Sequence, residues 1–263
     1  MSDSLPLLLT VLLLTINLSA QIANVSITNV RETVAPTDKS RLVWIGLLEN
    51  HSSSPIVAFH SSFVCPSSTI PGKKMSIGSG YDAFEQHIVL DDIRLIPAGS
   101  VAEVNAANPY SCTGGVDSVI FSDHHSEGNQ RWLNFKHEEW TGMRKGIIES
   151  LPQLSRIADR EAQPEEIADV FRGRIELIPN GTTDMKKWGE RAVYVQLESL
   201  LRVKTDVKAP SDSTPYSPSR GEESGEAGGI PRPNAQAMAI YLSNKLQEWK
   251  TALEDNLELP ATK

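Results

Sequence analysis

The amino-acid sequence predicts an α+β protein in which an antiparallel β-sandwich precedes an α-helical region. In the first half, short apolar runs are separated by turn signals, a pattern that is typical of sandwiches. From Glu138 onward the apolar residues instead recur at helical spacing. Residues 208–234 are rich in Pro, Ser, Gly and Glu, and they separate a final amphipathic segment from everything before it.

The N-terminal segment is a predicted export signal. Residues 5–18 (LPLLLTVLLLTINL) are apolar and uncharged, and Ser19-Ala20 follows them as a small-residue cleavage site. The run is shorter than the about 20 apolar residues that a membrane span needs. Residues 1–20 are therefore predicted to be a signal peptide, and the mature protein to be periplasmic, at the cell surface or secreted. No Lys or Arg precedes the run, so retention as an uncleaved anchor is the alternative.

Charge and cysteine content limit the classes of partner. The net charge is −8, and no basic stripe is present, which argues against nucleic acid or an anionic membrane surface as a partner. Cys65 and Cys112 are predicted to form a disulfide in an oxidising compartment, with two buried free thiols as the alternative. Asn24, Asn50 and Asn180 begin N-x-S/T sequons, which matter only in a host that glycosylates.

The predicted sandwich covers residues 23–122. The run at 41–48 (RLVWIGLL) is apolar on both faces, which indicates a central strand. In the next strand, 56–65, the side chains predicted to face the core at period two are Val57, Phe59, Phe63 and Cys65. The glycine-containing segments 71–72 and 78–80 are predicted loops. The remaining predicted strands lie around Val25 and Ile27 and at 87–90, 93–95, 100–106 and 116–122.

Helices are predicted over residues 131–204. The first carries apolar residues over 143–157, and Pro152 within it predicts a kink or a break. Pro164 is expected in the first turn of a second helix, a position that tolerates proline. Thr183 is the predicted cap of a third helix.

The C-terminal part contains a predicted flexible linker at 208–234 and an amphipathic helix at 235–259. The linker has almost no large apolar residues and cannot offset the entropy of ordering. The apolar stripe of the helix needs a partner, which is either the helical region of the same chain or another protein. Its members are Tyr241, Leu242, Leu246, Trp249, Leu253 and Leu257.

Two segments of the first half carry a family resemblance. Residues 50–59 (NHSSSPIVAF) and 96–100 (IPAGS) resemble the small immunoglobulin-like accessory domains of exported bacterial proteins, those of the FxLYD type among them. The polar-aromatic signature of that family is replaced by Phe63-Val64-Cys65. The resemblance implies an immunoglobulin-like sandwich in an extracytoplasmic protein of unassigned role, and it brings no catalytic residues with it.

One polar cluster has the residue types of a metal site. In the segment 122–128 (SDHHSEG), Asp123, His124 and His125 are candidate ligands of a divalent metal. No H-E-x-x-H or H-x-H spacing accompanies them. The alternative is a polar turn before the first helix, in which an Asp or a Ser caps that helix.

The tryptophans of the second half allow two interpretations. Trp132, Trp140, Trp188 and Trp249 could line a groove for a hydrophobic ligand or a peptide. Aromatic side chains on amphipathic helices are more often core residues, and core packing is the preferred interpretation.

The functional expectation follows from these features. With no catalytic motif or cofactor motif recognised, the sequence favours an exported, non-enzymatic protein that acts by binding or scaffolding, with a protein partner recruited through the terminal helix. The competing hypothesis is a metal-dependent hydrolase built on Asp123, His124 and His125. A third is a ligand carrier or inhibitor whose terminal helix covers an aromatic groove.

Overall fold

The computed structural model of the 263-residue chain describes residues 22, 24–34, 42–67, 69–85, 92–108, 110–202 and 235–257. The predicted signal peptide, the predicted strand at 87–90 and the predicted linker at 208–234 lie outside these residues. The strands are β1 (Val25–Val34), β2 (Leu42–Asn50), β3 (Ile56–Pro66), β4 (Lys74–Asp82), β5 (Val101–Asn105), β6 (Thr113–Phe121) and β7 (Ser126–Gly128). The helices are α1 (Gln130–Ala158), α2 (Pro164–Glu176), α3 (Met185–Arg202) and α4 (Ala235–Leu257).

The strands form two antiparallel sheets, which confirms the predicted α+β class with strands first and helices after. The first sheet has the order β1-β2-β5 and the second has the order β4-β3-β6-β7. Apolar side chains from both sheets pack together into one core. Its buried members are Ile22, Val25, Leu48, Ile56, Phe59, Ile96, Val116, Val119 and Phe121.

A β-bulge in β3 changes the side of the sheet on which one predicted core residue, Val57, lies. The pairing of β3 with β6 shifts register between Ile56 and Ala58. Ile56 and Phe59 therefore both face the first sheet, while Val57 packs with the helical core on the other side. The prediction that Val57 shares a face with Phe59 was wrong, because an inserted residue resets the period-two alternation.

Two segments before β5 also differ from prediction. Residues 78–80, predicted as a loop, lie inside β4, where Gly78 pairs with Ser62 and Gly80 pairs with His60. The strand expected at 93–95 is irregular backbone, and Ile96 alone forms a bridge with Ile56. The chain next enters a turn at Pro97, which has no N–H with which to continue a ladder.

The helices begin and end at recognisable signals. The first helix runs without a break through Pro152, and the residue four positions earlier, whose carbonyl loses its helical N–H partner, is the exposed Ile148. Asn129 caps it, so the predicted cap from the 122–128 segment was wrong. The second helix begins at Pro164, as predicted. Asp184 caps α3 by accepting from the backbone N–H of Lys187, in place of Thr183.

A second core joins the helices to β3, β4 and β6. The terminal helix packs on α1, and its buried residues include Leu242, Leu246, Trp249 and Leu253. The helical region of the same chain therefore covers the apolar stripe that the sequence left without a partner. None of the described helices has an apolar stretch long enough to cross a bilayer.

The predicted disulfide is confirmed. The Sγ atoms of Cys65 and Cys112 are bonded, which links the end of β3 to the residue that precedes β6. Cys65 is buried with Phe63 and Ala107 in a small apolar cluster at that end of the sheets.

Candidate ligand-binding cleft

A cleft lies between β3, β4 and the first turns of α1. Its volume is about 380 Å³, which is within the usual range of small-molecule sites. We call it the β4–α1 cleft. Its lining residues are Phe59, His60, Gly78, Ser79, Gly80, Tyr81, Glu85, Trp132, Phe135 and Lys136.

Glycines in β4 keep the cleft open. A Cβ atom at Gly78 would stand 2.9 Å from Nε2 of His60, and one at Gly80 would stand 2.8 Å from the carbonyl oxygen of Phe59. Both positions face the imidazole of His60 across the strand pair. Because these residues have no side chains, the space beside the imidazole stays unfilled.

His60 is held in one orientation within the cleft. Its ring stacks on Trp132 with the centroids 5.7 Å apart. Its Nδ1 lies 2.8 Å from Oδ1 of Asp117, and because a carboxylate only accepts, Nδ1 is the donor. In the neutral tautomer with Nδ1 protonated, Nε2 is an acceptor on the Gly78 side. The arrangement supplies an oriented imidazole, and the two glycines opposite it offer no nucleophilic side chain.

An ionic cluster, buried except for Glu85, adjoins one wall of the cleft. The ammonium group of Lys136 donates to Glu85, to Glu139 at 2.8 Å and to Asp82 at 3.1 Å. Asp82 also accepts from the indole N–H of Trp140 at 2.8 Å and from the backbone N–H of Phe84 at 2.7 Å. We call the four charged residues the Lys136 cluster. Every carboxylate in it is anchored, so the cluster holds the end of β4 against α1.

The Lys136 cluster has more negative than positive groups. Burial raises the pKa of Glu139 to about 8, and although Lys136 opposes this, the charge of Glu85 adds to it. Burial likewise raises the pKa of Asp82. For Lys136, burial lowers the pKa, but the surrounding carboxylates outweigh burial and hold it above its ordinary value. The cluster therefore keeps Lys136 charged and favours a proton on Glu139 at neutral pH.

The same carboxylates have the spacing of a metal site. Oxygen atoms of Asp82, Glu85 and Glu139 lie within 4.8 Å of one another, and in the described part of the chain no other such group of three occurs. The ammonium of Lys136 already bonds to all three, so it occupies the position that a cation would take. The donor set therefore fits an internal ammonium better than a metal ion.

The predicted metal residues lie elsewhere, in the turn between β6 and β7. Asp123 accepts hydrogen bonds from the Ser54 hydroxyl and, at 3.0 Å, from the backbone N–H of His125. The ring of His125 pairs with Glu127 at 2.9 Å. Asp123 and His125 share the rim of a depression of about 260 Å³, whereas His124 is not part of that rim. A metal at Asp123, His124 and His125 stays a prediction.

The four tryptophans have different roles. Trp140 and Trp249 are fully buried, and both pack edge-on against Phe84, with ring centroids 5.1 and 5.6 Å away. Trp188 lies on α3 and is 37% exposed. Trp132 alone among them lines the cleft.

The sequon at Asn50 has a structural role. Its amide is fully buried and donates to the carbonyl oxygens of Ser54, Ile96 and Pro97 at 3.0, 3.2 and 3.1 Å. A glycan cannot be attached to that nitrogen in the folded protein. The exposed sequons are those at Asn24 and Asn180.

Sequence reasoning missed most of the cleft. From the sequence, His60 is only a distant candidate ligand of the predicted metal site, on the strand face opposite Phe59 and Phe63. The segment 78–80 is predicted as a loop, and neither Glu85 nor Lys136 has a predicted role. One signal was present: Lys136, Glu139 and Trp140 fall on the helix face that also carries Met143. Charged residues on an apolar helix face predict a buried ion pair.

Comparison with known proteins identifies no relative: no family model, no curated protein and no solved structure matches this chain.

Proposed function

We propose that this chain is an exported, non-enzymatic protein that binds a small ligand in the β4–α1 cleft. The observation that carries the proposal is the cleft itself, a concave site with aromatic walls whose imidazole and charged groups are held in position. Sites of this kind are the usual location of a ligand. The stacked rings of His60 and Trp132 form a rigid wall. Because these side chains are already ordered, the loss of side-chain entropy on ligand binding is small.

Binding is favoured over catalysis by the state of the polar groups. The charged atoms of the Lys136 cluster are already engaged with one another. Across the strand pair the imidazole of His60 meets Gly78 and Gly80, which have no side chain to be activated, and Ser79 between them pairs with Ser61. These features fit recognition of a ligand and provide no reaction sequence.

Export and an immunoglobulin-like scaffold belong to the same proposal. The disulfide between Cys65 and Cys112 supports an oxidising compartment. The two facing antiparallel sheets support the immunoglobulin-like assignment. The disulfide joins neighbouring strands of one sheet, unlike the bridge between sheets in antibody domains. The relationship proposed is therefore one of architecture alone.

A screen against cleft variants tests the binding proposal. Ligand-observed NMR with a library of small polar and aromatic compounds should give hits with the wild-type protein. Trp132→Ala removes the wall that stacks on His60 and should weaken these hits by about tenfold or more. Trp188→Ala is the matched control, because it removes an indole from an exposed helix position outside the cleft.

Two results would contradict the proposal. One is an absence of hits across the library for correctly folded protein. The other is a set of hits that bind Trp132→Ala as tightly as wild type. Circular dichroism and a thermal melt of each variant separate loss of binding from loss of fold.

A further inference from the structure

Resting on the proposed function, we propose that the ligand of the β4–α1 cleft is an organic cation: a primary ammonium group carried on an aromatic or apolar body. The proposal identifies the chemical class that the walls and polar groups of the cleft would recognise. It is argued from the charges, the hydrogen-bonding groups and the aromatic rings that line the site.

The accessible charge on the cleft wall is negative. The side chain of Glu85 is 43% exposed, while the side chain of Lys136 is only 7% exposed and its ammonium bonds to three carboxylates. Lys136 therefore offers no free donor to an anionic ligand. Because the ammonium of Lys136 is turned toward its three carboxylates, an anion entering the cleft would meet the exposed Glu85 as a like charge, whereas a cation would meet it as an opposite charge.

The described polar groups of the cleft wall include two that can accept a hydrogen bond from a ligand, the Glu85 carboxylate and the Ser79 hydroxyl. A carboxylate has about four lone-pair sites, so Glu85 can accept from a ligand as well as from Lys136. In the neutral tautomer of His60 whose Nδ1 donates to Asp117, Nε2 is a further acceptor. The hydroxyl of Tyr81 already donates to the carbonyl oxygen of Arg94. A primary ammonium group brings donors and no acceptor, so it complements this set.

The aromatic walls suit the same ligand. Trp132, Tyr81 and Phe135 line the cleft, and aromatic faces attract ammonium groups through the negative potential of their π systems. The protein already makes one such contact, because the ammonium of Lys136 lies 5.8 Å from the ring centroid of Phe135. An aromatic or apolar body on the ligand would cover the rest of these faces.

The test compares amines with alcohols of the same shape. Isothermal titration of the full chain at neutral pH would use 2-phenylethylamine and 2-phenylethanol, together with homologues that have one methylene more or fewer. We expect the amine to bind at least about tenfold more tightly than its alcohol, the ratio typical of a charge-assisted hydrogen bond. Glu85→Gln should lower the affinity for the amine to that for the alcohol. Glu103→Gln, on the exposed face of β5, changes the net charge equally and should leave the ratio intact.

Each contrary result has a distinct meaning. Equal binding of the amine and the alcohol overturns the cation inference and leaves the proposed function standing. A preference for the amine that survives Glu85→Gln overturns it as well, because the charge would then be recognised elsewhere. Failure of every amine in a protein that binds other library compounds overturns only the ligand class, and failure of all compounds overturns the proposed function too.

Discussion

Glu139 is a carboxyl group in a place that disfavours its charge. It is buried on α1, and it shares the ammonium of Lys136 with Asp82 and Glu85. One cation cannot balance three carboxylates, so the folded protein gains by keeping a proton in the cluster. The proton and the ammonium together balance the carboxylates that join the end of β4 to α1.

This proton makes stability depend on pH. Burial raises the pKa of Glu139 from 4.5 to about 8, so the folded state binds more protons than the unfolded state between these values. The contribution of Glu139 to the free energy of unfolding should therefore be greatest at the acidic end and fall as pH rises toward 8, by at most about 1.4 kcal/mol per pH unit. Urea unfolding at pH 5, 6, 7 and 8 measures the slope.

Glu139→Gln removes the titrating group and should flatten that slope, although the raised pKa of Asp82 leaves part of it. Glu138→Gln, at the exposed neighbouring position, should keep the wild-type slope. If Glu139→Gln and wild type lose stability equally between pH 5 and 8, the proton does not reside on Glu139.

Helices α1 and α3 cross at very short range because glycines meet there. A Cβ atom at Gly142 would stand 1.8 Å from the carbonyl oxygen of Lys186, and one at Gly189 would stand 2.0 Å from that of Glu139. These contacts involve backbone on both sides and leave no room for a methyl group. The crossing therefore fixes the position of α1, which carries one wall of the cleft.

Adding a methyl group at the crossing should destabilise the fold. Gly142→Ala gains helix propensity but forces the two backbones apart, and we expect a net loss of about 3 kcal/mol. Gly173→Ala on α2, where a Cβ meets nothing within 4 Å, is the control and should be neutral or stabilising by up to about 1 kcal/mol. Chemical denaturation measures both. A Gly142→Ala variant as stable as the control would show that the helices are not in backbone contact.

The second sheet is the middle of three layers. One of its faces packs on the first sheet through residues such as Phe59, and the other packs on the helices through residues such as Ile120. Phe84, just after β4, contacts both Trp140 of α1 and Trp249 of α4. Because the middle layer belongs to both cores, we expect the sheets and the helices to unfold together.

The disulfide offers a test of that cooperativity. Cys65 and Cys112 are separated by 47 positions, and removing such a cross-link costs about 4 kcal/mol in the chain-entropy model. The double variant Cys65→Ala/Cys112→Ala should shift a single unfolding transition, seen equally by far-ultraviolet circular dichroism and tryptophan fluorescence. Two separate transitions, with only the sheet signal displaced, would contradict the shared middle layer.

Local sequence patterns predicted most strands and helices, but they did not predict which distant segments pack together. The strand at 56–65, the helix starting at Pro164 and the pairing of Cys65 with Cys112 carry signals in neighbouring residues or in residue type. The strand β4 does not, because it is exposed and contains Gly78 and Gly80, which are typical of loops. The bulge in β3 depends on the pairing with β6, which no single strand reveals.

The Lys136 cluster shows the same limit at the site. Asp82 and Glu85 lie more than fifty positions before Lys136 and Glu139 in the chain. The helix pattern shows charged residues on an apolar face, but nothing in the sequence indicates Asp82 and Glu85 as their partners. Only the packing of α1 on β4 makes the four groups a unit. The cleft could not be predicted from the sequence for a related reason. Its open space depends on the absence of side chains at Gly78 and Gly80, which matters only once β4 is paired with β3.

The absence of side chains at Gly78 and Gly80 has an evolutionary consequence. A glycine codon becomes an alanine codon by one nucleotide substitution, and at Gly78 the new methyl group would press on the tip of a side chain, not on backbone. Descendants of this gene could thus narrow the cavity in a single mutational step while retaining the scaffold, so selectivity could diverge among them faster than architecture.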